Sequence, residues 1–254
     1  MDYEFIQIEV DGPVADLTLR RPPHNLLHIP MMEEINDALL ALRSQRGIMV
    51  VVVRGDGEFC LGFDLKEHVP RRVQRLIQVF MRIFETLRMM SIVSVAAVRG
   101  RAHGAGFELA LGCNLIVASE TADFALPQVK TGIIPPVACA VLPRIAPRRK
   151  AMEWILTGNS IPAQRLEHDG VVNRLLPTRR FEAELKKFVG QITDKSGPVL
   201  QLAKRAQFEA YYSTFPDALA SIHTLYLKEL VDLHDSREGT RAAREEREPV
   251  WQQH

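Results

Sequence analysis

Two strand-like runs open the chain, residues 3–10 and 14–20, folded about Asp11-Gly12-Pro13 as a hairpin. Arg21-Pro22-Pro23-His24-Asn25 breaks the alternation, and Met32, Ile35, Leu39 and Leu42 then recur at helical spacing over 29–42, with Pro30 near the start. Residues 48–53 are a β-branched run that reads as a buried strand. The stretch 54–68, RGDGEFCLGFDLKEH, is punctuated by Gly55, Gly57 and Gly62 and predicts a loop-to-helix junction. Val73, Ile77, Phe80, Ile83, Phe84 and Leu87 predict a helix over 70–90, and 92–98 is a second buried strand. A further strand is expected at 113–118 and a loop at 124–137, where Pro135 and Pro136 argue against helix. Helical pattern returns at 138–157, interrupted by Pro143 and Pro147, followed by a short helix at 162–168 and a strand at 171–175. Beyond residue 180 the pattern is helical only, at 181–193, 198–211, 216–234 and 236–246. The expected organisation is an α/β body over 1–180 and an all-helical region over 181–254.

The most informative stretch is 99–112, RGRAHGAGFELALG. A buried strand leads into Gly100, Gly104, Ala105 and Gly106, and a helical pattern follows through Phe107, Leu109 and Leu111. Strand, small-residue turn and helix leave free backbone N–H groups at a positive helix start, a nook suited to an anion or a developing oxyanion. Small side chains let a ligand oxygen approach the backbone. Glu108 falls in the first helical turn beside that nook. The stretch is not a dinucleotide fingerprint, because Leu109 stands where the third glycine would fall. The junctions at 48–68 and 92–112 repeat one pattern, so each can aim a backbone N–H at the same oxygen.

Composition narrows the class without naming a ligand. With 254 residues, 46% apolar and 25% charged, the chain is long enough for a sizeable core. A net charge of +1 gives no global attraction to nucleic acid or membrane, and no apolar run is long enough to span a bilayer. Cys60, Cys113 and Cys139 lie in apolar contexts without metal-type spacing, which fits buried thiols in a reducing, cytoplasmic setting. There is no HExxH motif, no Cys/His cluster and no G-x-S-x-G, so neither a metal site nor a serine hydrolase is expected. The mixed charges of Arg241, Arg244, Glu245, Glu246, Arg247 and Glu248 read as a solvated or subunit-facing helix.

Residues 59–67, FCLGFDLKE, followed by 99–112 and 124–136, resemble the crotonase (enoyl-CoA hydratase/isomerase) superfamily. The resemblance runs from the hairpin and Arg21-Pro22-Pro23-His24-Asn25-Leu26-Leu27 to EGTRAAREEREPVW at 238–251. It implies a crotonase-type spiral of ββα turns, with 181–254 serving trimer packing and pocket closure in a homotrimer or dimer of trimers. It also implies an acyl-CoA thioester as substrate, so that coenzyme A is part of the substrate and no separate cofactor is expected. Carried over position by position, the N–H groups of Phe63 and Ala105 form an oxyanion hole, where the family usually has glycine in place of Ala105. Glu108 matches one of two glutamates of a typical hydratase, and the other aligns with Gln128, which orients water but exchanges no proton at neutral pH. His24, Leu26, Asp64, Leu65, Lys66 and Gly104 match positions along the bound thioester, with Lys66 and 24–26 at its nucleotide end. Asp64 is expected to cap the following helix. Pro136 stands where aryl-CoA dehalogenases carry a nucleophilic aspartate.

Within the superfamily, Pro22 to Leu27 with Met31-Met32, Gly62 to His68, and Gly132 to Val137 ending in Leu142-Pro143-Arg144 look most like cyclohexa-1,5-diene-1-carbonyl-CoA hydratases. The leading expectation is a lyase that adds water syn to an α,β-unsaturated, cyclic dienoyl or simpler, CoA thioester. Glu108 would act as base on water and return the proton to the α-carbon, while Gln128 places the water. Double-bond isomerisation or C–C hydrolysis is the alternative within the family. A catalytically silent acyl-CoA- or RNA-binding homologue is the alternative outside it, motivated by Gln128 and opposed by Glu108 and the near-neutral charge. His68 and His103 read as structural or exposed histidines.

Overall fold

The structure, a computed structural model, describes residues 2–253. Its elements in chain order are β1 (Ile6–Asp11), β2 (Val14–Leu19), α1 (Ile29–Ser44), β3 (Val50–Gly55), α2 (Val73–Met89), β4 (Val93–Val98), β5 (Arg101–His103) and α3 (Ala105–Gly112). There follow β6 (Leu115–Ser119), β7 (Asp123–Ala125), α4 (Pro136–Ile145), α5 (Arg148–Thr157), β8 (Ser160–Pro162), α6 (Ala163–His168) and β9 (Arg174–Leu176). The last four helices are α7 (Phe181–Thr193), α8 (Gly197–Tyr212), α9 (Phe215–Lys228) and α10 (His234–Arg244). Residues 127–131 form a single 3-10 turn.

The large sheet has the order β1-β2-β3-β4-β6-β9, antiparallel at the β1–β2 hairpin and parallel elsewhere. Side-chain alternation divides its residues between two apolar layers. Leu17, Val51, Val53, Ala96 and Val98 pack with Ile35, Leu39, Phe80 and Ile83 of α1 and α2. Val50, Val52, Val95, Ala97 and Val117 pack with Phe181, Leu185 and Val189 of α7. Burial on both faces explains the unbroken apolar run of β3. The first helix beyond residue 180 is therefore a cover for the sheet.

A second layer runs beside the first. β5, β7 and β8 form a small sheet, and it is extended by isolated parallel bridges of Cys60 to Ala102 and of Leu27 to Phe63. Each pass of the chain thus supplies a strand to the large sheet, a short extended segment to this layer, and helical structure. The passes are β2 with Leu27 and α1, β3 with 60–63 and α2, β4 with β5 and α3, and β6 with β7 and the helices after it. The repetition seen at 48–68 and 92–112 is part of this fourfold plan.

Several expectations are corrected. Residues 124–137 are not one loop: they hold β7, the 3-10 turn and the start of α4. Pro136 opens α4, since the first helical position needs no N–H bond. Pro143 lies inside α4, and the break in 138–157 falls at Ala146-Pro147. The helix expected over 70–90 begins only at Val73, because Val69 O first accepts a tight turn from Arg72 N. Asp64 caps no regular helix; its Oδ1 accepts from Lys66 N at 3.1 Å and its Oδ2 pairs with Arg21 at 2.7 Å. Cys139 is exposed, unlike Cys60 and Cys113, because it lies on the outer side of α4.

The charged C-terminal region is also less solvated than its composition suggests. Asp235 and Glu238 of α10 are buried. Asp235 accepts from the backbone N–H groups of Gln252 and Gln253, and Glu238 accepts from Val250 N and from Arg247. Trp251 Nε1 donates to Asp194 O, and Gly197 N donates to Gln253 Oε1. These carboxylates hold residues 250–253 across α10 and onto the α7–α8 junction.

Phe107 of α3 is fully buried and stacks edge-on against Phe124 of β7, with centroids 5.0 Å apart. Phe107→Ala should cost about 3–5 kcal/mol of stability. Urea unfolding should show a lower midpoint with an unchanged slope.

Candidate active site

The carboxyl group of Glu108 lies where α3 starts and α4 points its amino end. Its Oε1 accepts from Val137 N at 2.6 Å and Ala138 N at 2.9 Å, in the first turn of α4. These amides have no helical acceptor of their own, and the helix dipole favours negative charge there. Gln128 Nε2 donates to the other oxygen, Oε2, at 2.9 Å. The glutamate side chain has no solvent exposure. Burial, the largest influence, pushes its pKa up to about 7, against the opposing pull of the Ala138 and Val137 amides and Gln128. A carboxyl group poised near neutrality can both take and give a proton.

Gln128 is positioned by the 3-10 turn, in which its own carbonyl accepts from Ile133 N and Thr131 Oγ1. Its Oε1 is buried and has no hydrogen-bond partner among the described residues. That atom is a spare acceptor beside the carboxyl group.

The two expected amide donors sit on neighbouring loops. The bridge from Leu27 to residue 63 uses the flanking groups, with Leu27 N donating to Gly62 O and Asp64 N donating to Leu27 O. Phe63 N–H therefore faces away from that bridge, and no acceptor for it is found among the described residues. Ala105 is the first residue of α3, where an N–H has no intrahelical acceptor. The loops touch: a Cβ built on Gly62 would lie 3.6 Å from Ala105 N, and one on Gly104 would lie 3.5 Å from the Gln128 side-chain amide. Phe63, Gly104, Ala105, Glu108 and Gln128 are thus brought together.

Two glycines make the approach feasible. Gly104 has φ +54°, so the unusual backbone angle falls there and Ala105 keeps an ordinary negative φ. A Cβ on Gly106 would sit 2.1 Å from Cys60 O. Only a bare α-carbon lets the start of α3 lie against the 60–63 loop.

The expected thioester-lining residues follow one rim. Leu61 N donates to His24 O at 3.0 Å, so the 24–27 segment runs alongside the 60–63 loop. Leu26 O accepts from Arg21, which also binds Asp64. His24, Leu65 and Lys66 are exposed, Leu26 and Asp64 are half-buried, and Gly104 is buried. His103 is tied to Asp123 at 2.7 Å, and His68 is half-buried with an unpartnered Nδ1. Cavities of about 310, 420 and 460 Å³ lie away from Glu108. Among the described residues no group of three or more His, Cys, Asp or Glu is placed to hold a metal ion. No helix there is long and apolar enough to cross a membrane.

Sequence reasoning missed two contributors. Asn25 is fully buried and its Nδ2 donates to Glu58 O at 2.7 Å and Asp56 O at 3.2 Å, which clamps the loop leading to Phe63. Its signal was a polar residue following two prolines at a pattern break. The Val137 and Ala138 amides were hidden by reading Pro135-Pro136 as a loop, although proline at the first helical position is itself a helix-start signal.

The likeness to known proteins covers nearly the whole chain. A family model described as enoyl-CoA hydratase/isomerase matches residues 9–254. A probable enoyl-CoA hydratase of Mycobacterium bovis is 30% identical over 255 residues, 99% of each chain. Another from Rhizobium meliloti is 32% identical over 246 residues, 95% of each. The crystal structure of enoyl-CoA hydratase from Bacillus anthracis superposes with a TM-score of 0.93 at 26% identity, covering 99% of this chain and 100% of that one. The expected crotonase-type α/β fold with helices at the C-terminus is borne out.

The buried carboxyl group also ties stability to pH. Folded Glu108 keeps its proton up to about pH 7, whereas the unfolded side chain releases it near the ordinary 4.5. Between those values the folded state binds more protons, so this contribution to stability is lost as pH rises through the window. Glu108→Gln removes it. From pH 4 to pH 8, wild type should lose about 3 kcal/mol relative to the variant. Urea titrations of both at the two pH values measure the difference.

Proposed function

The chain belongs to the enoyl-CoA hydratase/isomerase family, and on that premise we propose that it adds water across the α,β double bond of an acyl-CoA thioester. One observation carries this reading: two main-chain amides, Phe63 N–H and Ala105 N–H, with no acceptor among the described residues, lie on touching loops beside a carboxyl group whose pKa burial pushes up to about 7. The thioester oxygen gains charge as the α-carbon becomes enolate-like, and two preorganised donors stabilise that charge away from water. Glu108 Oε2 takes a proton from water as its oxygen bonds to the β-carbon. The π-electron pair moves to the α-carbon, and the same carboxyl group returns the proton there, on the same face. Gln128 fixes the carboxyl group with its amide hydrogen, and its free Oε1 accepts the second hydrogen of the water. No group beyond the thioester and these residues is required.

For the acyl portion we propose a cyclic, ring-conjugated dienoyl group. The support is the resemblance carried by Pro22 to Leu27, Gly62 to His68 and Gly132 to Val137. Beyond α7, which covers this chain's own sheet, the helices of 181–254 serve packing between copies in a homotrimer or dimer of trimers and closure of the pocket. Tyr212, Phe215, Leu219, Tyr226 and Leu227 leave an exposed apolar surface on α8 and α9 that such packing would cover.

A panel of linear and cyclic enoyl-CoA thioesters in ¹⁸O-labelled water tests the assignment. The product should carry one labelled oxygen, and Glu108→Gln should lower kcat by about 10²–10⁴-fold. The wild-type kcat/KM should rise with pH through about 7, as Glu108 becomes the carboxylate base. Near-wild-type turnover in the variant would end the reading, and an unlabelled product with a shifted double bond would replace it with isomerisation.

A further inference from the structure

A cavity of about 310 Å³ lies between the end of α2 with the residues just after it, α8 and Leu233, and shares no residue with the site around Glu108. Its lining includes Arg88, Lys204 and Arg205 but no carboxylate. Arg205 is engaged by Glu229 and Glu209. Arg88 and Lys204 form no ion pair among the described residues. The Arg88 guanidinium lies 5.6 Å from the centroid of the Phe208 ring, and Lys204 Nζ donates to Ile92 O at 2.6 Å. An ammonium has three hydrogens, so Lys204 retains donors for another acceptor. The remaining wall includes Leu202, Phe208 and Leu233.

Two cations lacking counter-charges, beside walls that are apolar apart from Ser91, Gln201 and the engaged Arg205, call for one negative charge on an apolar body. We propose that this cavity binds an amphipathic monocarboxylate, its carboxylate on Lys204 and Arg88 and its tail along Leu202, Phe208 and Leu233. A second charge on the ligand would have to pair with Arg205, which Glu229 and Glu209 already engage. Burial lowers the pKa of Lys204 to about 8, opposed only by the Cys113 thiol, so an anion would supply the partner this ammonium lacks. The volume lies at the small end of the range for small-molecule pockets.

Isothermal titration of the full-length protein with octanoate tests the proposal, with octan-1-ol and acetate as probes that keep only the tail or only the charge. Octanoate should bind once per chain, and both controls should bind at least about tenfold more weakly. Arg88→Gln and Lys204→Met should each weaken octanoate about tenfold, and Leu202→Trp, which fills the cavity, should abolish binding. Arg88 is exposed, so its variant keeps the test decisive even if Lys204→Met fails to fold. Absence of octanoate binding, equal binding of octan-1-ol, or binding that survives both Arg88→Gln and Leu202→Trp would overturn it. The last result would place the fatty acid elsewhere, including the thioester site, and would leave the hydratase reading untouched.

Discussion

A carboxyl group removed from water, yet met by three hydrogen-bond donors, is the constraint around which the active region is arranged. Removal from water favours the protonated form, and the donors from α4 and Gln128 favour the ionised one. Burial outweighs the donors, and the net effect pushes the pKa of Glu108 up to about 7. The balance depends on separate parts of the chain: α3 carries the glutamate, α4 supplies two amides, and the 3-10 turn supplies the glutamine. Packing between these elements, such as Phe107 against Phe124, therefore supports the chemistry as well as the fold.

A second constraint acts through the backbone. Polarising a carbonyl with main-chain N–H groups requires two loops to approach within atomic contact, and a Cβ at Gly106 would obstruct that approach. The bridges from Leu27 to Phe63 and from Cys60 to Ala102 hold the 60–63 loop between its neighbours. Asn25 adds a side-chain clamp from below. The donors are thereby held before any ligand arrives, which is what makes such stabilisation effective.

Much of this plan was legible in the residues because long elements carry their own periodicity. The Val-rich β3 and the apolar stripe of α2 declared themselves, and the glycines of 99–112 marked the turn at the site. The rest depends on partners distant in sequence. β5, β7 and β8 have three residues each, too few to display alternation, and they exist because they pair with one another. Pro136 resembles a helix breaker until the helix it opens is seen. Asp235 and Glu238 look like surface charges until residues 250–253 fold onto them. Glu108 was recognisable as a candidate acid, but its burial and its α4 donors were not.

The contact between Gly106 and Cys60 has an evolutionary corollary. It joins the two loops chiefly through main-chain atoms, with the Cys60 Cβ beside them, so their spacing depends little on the longer side chains around them. On the proposed reading, an exposed rim residue such as Leu65 can be exchanged without moving the two amides. A scaffold of this kind can diversify its substrates without rebuilding its chemistry.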